Sequence, residues 1–435
     1  EINDFAVTVA KTALWIAESQ MMKETESIVN MHLDFLPLKT NAYITEGNAL
    51  RIDWNDVVDK NRLDYIMGNP PFVGKKEQSR DQKKDLLAVF GEKKKGIGNI
   101  DYVCGWYKKT SEFIKSTPIK AAFVSTNSIT QGEQVPIFWK DLIEDIHIDF
   151  AYQSFRWDSE ASQKAHVHCV IIGFSQGSGS ETKWIYLNDT QVKEAENISP
   201  YLIDAPTVLI ESRSKPICEV PEISYGSMPI DDGHLVLDKE AVEAIIAENP
   251  DNKKMIRKYA GGAELIKNTE RWCLWLKGAE PADIRKCPRV LERIENVRKF
   301  RLASKKPATR TKADTPMLFD EIVECGTDYL AIPKTSSETR KYIPIGWLSH
   351  EVIAGDAIFV CENATLYHFG VLSSSEHNAW SRKISGRLTS RIRYSNTIDY
   401  NAFPWPVIRN VPWLPEGNPP FLRIPATAQA ILDAR

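Results

Sequence analysis

One short segment combines residue types and an order suited to chemistry. Asn69-Pro70-Pro71-Phe72 directly follows Asp64-Tyr65-Ile66-Met67-Gly68. Consecutive prolines fix the backbone φ and offer no N–H donor, so the segment is a stiff turn. At the carboxyl end of a strand in an open α/β sheet, such a turn projects side chains into the ligand crevice. The Asn69 amide oxygen and a backbone carbonyl of the turn are both acceptors. An exocyclic amine held by two acceptors through its N–H bonds becomes more pyramidal and turns its lone pair toward an electrophile. Phe72 offers a face on which a base can stack. The same four residues also suit a plain strand-terminating turn with one exposed aromatic.

Other chemistries leave little trace. No Ser/His/Asp triad or Cys/His nucleophile is legible, and the eight histidines show no metal-ligand spacing. His166 and His168 lie two apart in an apolar strand, so both rings leave one face and read as a satisfied pair. The seven cysteines are scattered without a CxxC, which excludes a disulfide framework or zinc cluster and points to a reducing cytosol. Net charge is −3, yet residues 285–312 hold eleven Lys/Arg against Glu292 and Glu295, a local +9. A segment of that kind suits phosphate contacts, and a solvated helix face is the competing use. A second lysine-rich stretch spans residues 75–95.

These residues need a frame. With 435 residues, 43% hydrophobic and 26% charged, the chain is long enough for two or three globular domains. No apolar run reaches the ~20 residues of a membrane span, and no signal peptide opens the chain, so a cytoplasmic protein is expected. The periodicity predicts a helix over 5–22, short strands at 43–45 and 65–67, and a helix over 102–114 capped by Asp101. It predicts a buried strand at 121–124 and an antiparallel pair at 148–152 and 166–174. Helices alternating with short buried strands make an α/β layered sheet. The Gly/Ser stretch 176–180 reads as a turn before an edge strand at 182–187. Beyond about residue 205 the texture becomes irregular and richer in Pro and Trp, reading as a second, mixed α/β domain. From residue 407 a proline-rich segment leads to a short helical tail.

Asn-Pro-Pro-Phe/Tyr resembles the catalytic motif of S-adenosylmethionine-dependent amino-methyltransferases, chiefly N6-adenine DNA methyltransferases. Glu1-Ile2-Asn3, the run 47–54, Ser125-Thr126-Asn127-Ser128-Ile129, Gln131-Gly132-Glu133 and Phe155-Arg156-Trp157 resemble the MmeI-type restriction–modification enzymes. So do the runs 226–231, 271–275, 336–344, 386–388 and 400–406, which makes the resemblance nearly chain-wide. It implies an incomplete Rossmann-like S-adenosylmethionine methyltransferase sheet ending in an antiparallel hairpin (1–200), a mixed α/β target-recognition domain (201–406) and a tail (407–435). The implied activity is site-specific adenine N6-methylation of double-stranded DNA, with S-adenosyl-L-methionine as cofactor and the target base flipped.

The resemblance also implies residue roles. Asn69, Pro70, Pro71 and Phe72 would be catalytic, with Phe155 stacking on the far face of the flipped base; Trp157 is the second candidate for that stack. Glu1 would accept from the ribose hydroxyls and Asn48 would read the cofactor's adenine edge. Ala49 and Leu50 would pack near that ring, with Asn69 bordering the same site. Asn48 also suits a plain turn after Gly47, while Asp53 and Trp54 read as structural. In that family a glycine-rich loop precedes the region where this chain begins, and a nuclease and helical connector lie further upstream. Their absence here implies a carboxyl-terminal fragment, inactive alone and binding the cofactor weakly or not at all.

For DNA, the basic segment implies phosphate contacts from Arg298, Arg301 and Lys305. Thr389 and Arg391 lie two apart, so on an extended chain both side chains leave one face. Arg391 could then pair with guanine and Thr389 with a neighbouring base, while Arg393 suits phosphate or base. That stretch also resembles the part of the MmeI-type recognition domain where an alternating pair selects one base pair. No metal is expected, and nothing in the sequence sets the oligomeric state. The rivals are a non-catalytic DNA-binding specificity module and an amino-methyltransferase acting on a protein glutamine or an RNA base. The latter do not need a second domain of over 200 residues.

Overall fold

The structure, a computed structural model, describes residues 1–32, 44–157, 167–177, 182–406 and 420–433. Two compact units divide the chain, Glu1–Leu209 and Ile210–Arg435. Among the described residues, no helix is long and apolar enough to cross a membrane.

The first unit runs α1 (Asp4–Val29), β1 (Tyr65–Gly68), α2 (Arg80–Phe90), α3 (Cys104–Phe113), β2 (Lys120–Thr126) and α4 (Gln134–Trp139). It continues with β3 (His147–Trp157), β4 (Val167–Ser175), β5 (Lys183–Tyr186) and β6 (Val192–Ala195). The sheet order is β1-β2-β4-β3-β5-β6. β1 and β2 are parallel, β4 is antiparallel to both β2 and β3, and β5 is parallel to β3. An α/β frame with a β3/β4 hairpin after β2 is therefore present, as expected. Thr182–Leu187 differs from its expectation: β5 lies between β3 and β6, so β6 is the edge.

An aromatic cluster forms the core beneath this sheet. Tyr107 of α3 stacks on Phe174 of β4 at 5.3 Å and meets Phe123, Phe138 and Trp139 at their edges. All five rings are buried. Gly173 makes room for the ring of Phe150, its partner on β3, because a Cβ there would fall 2.0 Å from that ring. α1 is longer than its periodicity suggested. Asn3 accepts from the Ala6 N–H at its start, and the helix runs on to Val29. Its apolar residues Phe5, Val9 and Ile16 are exposed, and only Val7 of the helix is buried. Of the strand expected at 43–45, Tyr43 lies outside the described residues, and Ile44 and Thr45 are irregular.

The second unit contains β7 (Ser224–Tyr225), β8 (Val236–Leu237), α5 (Lys239–Glu248), β9 (Ile256–Ala260), α6 (Gly262–Lys267), β10 (Trp272–Leu274), α7 (Pro281–Arg285), α8 (Pro288–Leu302) and α9 (Pro307–Thr311). Then follow β11 (Tyr329–Pro333), β12 (Thr335–Ser336), β13 (Gly346–Leu348), β14 (Ile353–Ala354), β15 (Ile358–Cys361), α10 (Leu366–Leu372) and α11 (Ser375–Ile384). The last elements are β16 (Gly386–Leu388), β17 (Arg391–Arg393) and α12 (Pro420–Asp433). Short strands form three small sheets, β14-β9-β10-β8, β13-β11-β15-β7 and β12-β17-β16. This is the mixed α/β texture expected beyond residue 205. The segment expected as a tail supplies α12, whose Ile424, Ala428 and Ile431 pack into the same core as Phe369 and Trp405. Gly370 makes room there, since a Cβ would lie 2.7 Å from Ile424 Cγ2.

Candidate active site and recognition elements

The Asn69–Phe72 turn leaves the carboxyl end of β1, where Gly68 is level with Phe123 of β2. Asn69 is exposed and makes no side-chain hydrogen bond among the described residues. Pro70 is buried, Pro71 exposed and Phe72 half-buried. The prolines carry no N–H, so the turn is fastened through the residues around Val73. Val73 N–H donates to Asp101 Oδ1 at 3.2 Å, and its carbonyl accepts from Tyr102 N–H and Gln78 Nε2, both at 3.0 Å.

Asp101 is thus more than the expected helix cap. α3 begins at Cys104 after Val103, and Asp101 makes a looser turn by accepting from Val103 N–H at 3.3 Å. Its Oδ2 accepts from Thr126 Oγ1 at 3.0 Å, and its own N–H donates to Gln134 Oε1 at 2.9 Å. Burial pushes the Asp101 carboxyl above its ordinary range, against hydrogen bonds that favour the charged form.

Phe155 sits at the same end of the sheet. It pairs with Cys169 of β4, whose other strand neighbour is Thr126 at the end of β2. The pairing of β3 with β4 shifts register between Tyr152 and Phe155, and such bulges re-aim side chains. The half-buried Phe155 ring meets Tyr152 edge-on at 5.3 Å and Trp157 at 6.2 Å. Trp157, the second candidate, is more exposed.

Of the residues expected around the cofactor, Glu1 lies beside the turn that carries Asn48, Ala49 and Leu50. Gly47 N–H donates to the Glu1 carbonyl at 2.7 Å, which brings exposed Glu1 beside the Gly47-Asn48 turn. Asn48 already has partners: its Oδ1 accepts from Leu50 N–H and its Nδ2 donates to Asp85 Oδ2, each at 2.9 Å. The bond from Leu50 N–H is the one its reading as a turn residue after Gly47 calls for. The Ala49 carbonyl accepts from Trp54 Nε1, and Leu50 is buried in the core against Gly105. Asp53 caps the short turn after it, as a structural residue.

Sequence reasoning missed Asp85 and Tyr102. Asp85 of α2 receives Asn48, Arg51 Nε at 2.7 Å and Tyr102 OH at 2.8 Å. Burial pushes the Asp85 carboxyl up, but these hydrogen bonds outweigh it and hold it below the usual range. Burial and Asp85 together push the Tyr102 phenol up to about 12. The available signal was an acid beside Leu86 and Phe90 on the buried side of α2.

In the second unit the basic segment forms α7, α8, α9 and their connections. Arg298 and Lys305 are exposed, as phosphate contacts require, and so are Lys299 and Lys306. Arg301 corrects its expectation. It is 0% exposed. Its guanidinium donates to the carbonyls of Pro229, Ile230, Lys312, Thr315 and Leu318 at 2.8–3.1 Å. All its donor capacity serves the fold, which leaves none for phosphate.

The Thr389/Arg391 geometry is also corrected. β16 and β17 form a two-residue hairpin in which Leu388 faces Arg391, and Thr389 stands in the turn with φ 58°. Strand alternation does not reach across that turn. Arg391 and Arg393 share the exposed face, with Ile392 buried between them, and Thr389 is at the exposed tip. Among the described residues no cluster of three His, Cys, Asp or Glu could hold a metal ion. His166 lies outside them.

Residues 1–187 match the family described as "MmeI, DNA-methyltransferase domain", and residues 204–407 match "MmeI, target recognition domain". The chain belongs to the MmeI family. DNA methyltransferase A of Bacillus subtilis (strain 168) is 38% identical over 410 residues, 93% of this chain and 46% of that protein. The structure of the Type IIL restriction-modification enzyme MmeI in complex with DNA superposes with a TM-score of 0.89. It is 43% identical and covers 100% of this chain and 58% of that one. The chain thus spans about half the length of the MmeI-family proteins it matches. It carries an MmeI-type DNA-methyltransferase domain followed by an MmeI-type target-recognition domain.

Proposed function

We propose that the chain is the base-modifying and target-reading part of a restriction–modification enzyme that methylates adenine N6 at a specific site in double-stranded DNA. The observation carrying this reading is the Asn69-Pro70-Pro71-Phe72 turn at the carboxyl end of β1, at the same sheet end as Phe155. In this reading the Asn69 oxygen and a carbonyl of the proline turn accept the two N–H bonds of the extruded adenine's amine. Phe72 and Phe155 stack on opposite faces of the base, compensating for its lost stacking in the duplex.

S-adenosyl-L-methionine, when bound, supplies the electrophilic methyl group. The residues present fit its nucleoside half. The exposed Glu1 carboxylate suits ribose hydroxyls, and it lies beside the turn carrying Asn48, Ala49 and Leu50. Asn69 borders the same crevice and orients the amine toward it. In the second unit, exposed Arg298 and Lys305 suit phosphate contacts, while Thr389, Arg391 and Arg393 lie on a β-ribbon of the kind a major groove admits. The 204-residue match to a target-recognition domain favours DNA over a protein glutamine or an RNA base.

The test is methylation of DNA by the full-length protein with S-adenosyl-L-methionine, followed by digestion to nucleosides and mass spectrometry. N6-methyldeoxyadenosine is expected. Methyl groups found only in cytosine, RNA or protein would refute the reading.

A further inference from the structure

We infer that Asp101 is a positioning residue that sets the spacing between the Asn69–Phe72 turn and the end of β2. The inference rests on the adenine-methyltransferase reading above. Neither Asp101 nor Thr126 touches the substrate in that reading. Asp101 is 3% exposed, and its carboxyl bridges a backbone N–H of one segment and a side-chain hydroxyl of another. Oδ1 accepts from Val73 N–H, the first backbone donor after Phe72 and one residue from the proposed stacking ring. Oδ2 accepts from the hydroxyl of Thr126, the last residue of β2.

The bridge extends at both ends. Thr126 Oγ1 lies 2.7 Å from Ser128 Oγ, and the adjoining Asn127 donates through Nδ2 to Ser154 Oγ at 2.9 Å. Ser154 directly precedes Phe155. On the other side, Gln78 Nε2 ties the Val73 carbonyl to the Ile100 carbonyl at 2.9 Å, next to Asp101. The two rings that would sandwich the base are therefore each one residue from this chain of hydrogen bonds. Because Pro70 and Pro71 have no N–H of their own, no other backbone donor between Gly68 and Val73 except those of Asn69 and Phe72 can anchor the turn. A buried carboxyl shared by three donors is also a stiff anchor, since each bond lost removes part of what offsets its burial.

The test uses the full-length protein with Asp101→Ala, Asp101→Asn and Thr126→Val. Single-turnover methylation is measured at saturating DNA and cofactor, together with DNA affinity, melting temperature and the fluorescence of 2-aminopurine placed at the target adenine. Asp101→Ala should slow methylation by about 100-fold, the scale of a ~1 Å misplacement of reacting groups. DNA affinity should stay within about twofold, because phosphate and base-edge contacts lie elsewhere. The 2-aminopurine signal should shift as the base loses its fixed stacking partners. Asp101→Asn should restore most of the rate. Its Oδ1 still accepts from Val73, and its amide can donate to Thr126 Oγ1, which then donates to Ser128. Thr126→Val should fall between the two at unchanged melting temperature.

Wild-type rates in Asp101→Ala would overturn the inference. Equal losses in Asp101→Ala and Asp101→Asn, in step with melting temperature, would reduce Asp101 to a fold residue and overturn it too. If Asp101→Ala does not fold, an unslowed Thr126→Val overturns it instead. A wild-type protein that leaves adenine unmodified refutes the functional reading and this inference together, whereas an active wild type with insensitive variants refutes only the inference.

Discussion

Phe155 and Thr126 pair with one residue, Cys169, from opposite sides of β4. That register places a β3 aromatic level with the strand end beside the Asn-Pro-Pro-Phe turn. A merely space-filling Phe155 would tolerate Leu. A base-stacking Phe155 would not, and stacking of one base on an aromatic is worth ~1–3 kcal/mol. Phe155→Leu is therefore expected to lower the methylation rate by about tenfold or more, while Phe155→Tyr stays near wild type. Single-turnover kinetics on cognate DNA checks this, and equal rates for the two variants would count against the stack.

The stability of α8 gives a second expectation. Arg301→Met removes a donor from five carbonyls; those of Lys312 and Thr315 keep a backbone N–H partner, and each of the others left unpaired costs ~1–3 kcal/mol. The urea midpoint should fall sharply. Neutralising exposed Arg298, Lys299 and Lys305 should leave that midpoint in place and weaken binding to all DNA sequences alike. The logarithmic salt slope should become shallower by about 0.9 for each phosphate that is no longer neutralised. Weaker binding to cognate DNA alone would show that these side chains read bases.

Much of the first unit was legible because its signals are local. The Asn-Pro-Pro-Phe turn, the run 121–124 of β2 and the amphipathic pattern of α3 each name their own structure. Arg301 was not legible: its neighbours Arg298 and Lys299 made it look like one more surface cation. The overlooked cue is that Val290, Val297 and Arg301 share one helix face, with spacings of seven and four. Thr389 misled because the β16–β17 turn carries neither Gly nor Asn, the usual marks of a tight hairpin. Asp85 and Asp101 looked like an ordinary helix acid and a cap. Their roles come from partners 25 to 37 residues away, which no local pattern encodes.

The hairpin supports a specificity experiment. Thr389 at the tip and Arg391 on the face of β17 are both exposed, and under the proposed function they are the residues that read a groove. Replacing both should change one position of the methylated site, with ~1–3 kcal/mol of discrimination at stake. Sequencing of methylated genomic DNA reads this directly. An unchanged preference at every position would exclude the pair from base reading.

Beneath that hairpin, buried Asp399 accepts from Ser385 Oγ and from Ser395 N–H at 2.8 Å. Burial pushes its carboxyl up to about 7, opposed by those bonds, by Ser381 and by Arg387. His377, on the neighbouring α11, is pushed down to about 4 by burial. The two oppose each other. An acid raised in the folded state contributes most below its unfolded value near 3.8, and that contribution is lost as pH rises to about 7. The depressed His377 contributes above about 6.5 and loses its contribution as pH falls toward 4. Asp399→Asn should therefore gain stability relative to wild type as pH rises from about 4 to about 7, and the difference should then level off. Urea midpoints of both proteins across that range test this, and a pH-independent difference would contradict it.

Asn69 carries the central claim. Removing a hydrogen bond that acts in the transition state costs ~2.7–4 kcal/mol, by analogy with oxyanion-hole groups. The most direct measurement is methylome sequencing of a host expressing the full-length protein, with wild type and Asn69→Ala compared side by side. The expected result is N6-methyladenine at one position of one recurring DNA sequence in the wild type. In the variant that modification disappears, while the purified protein binds the same DNA with nearly unchanged affinity. Retention of more than about a tenth of wild-type methylation by Asn69→Ala, or a modified base other than adenine, would contradict the account.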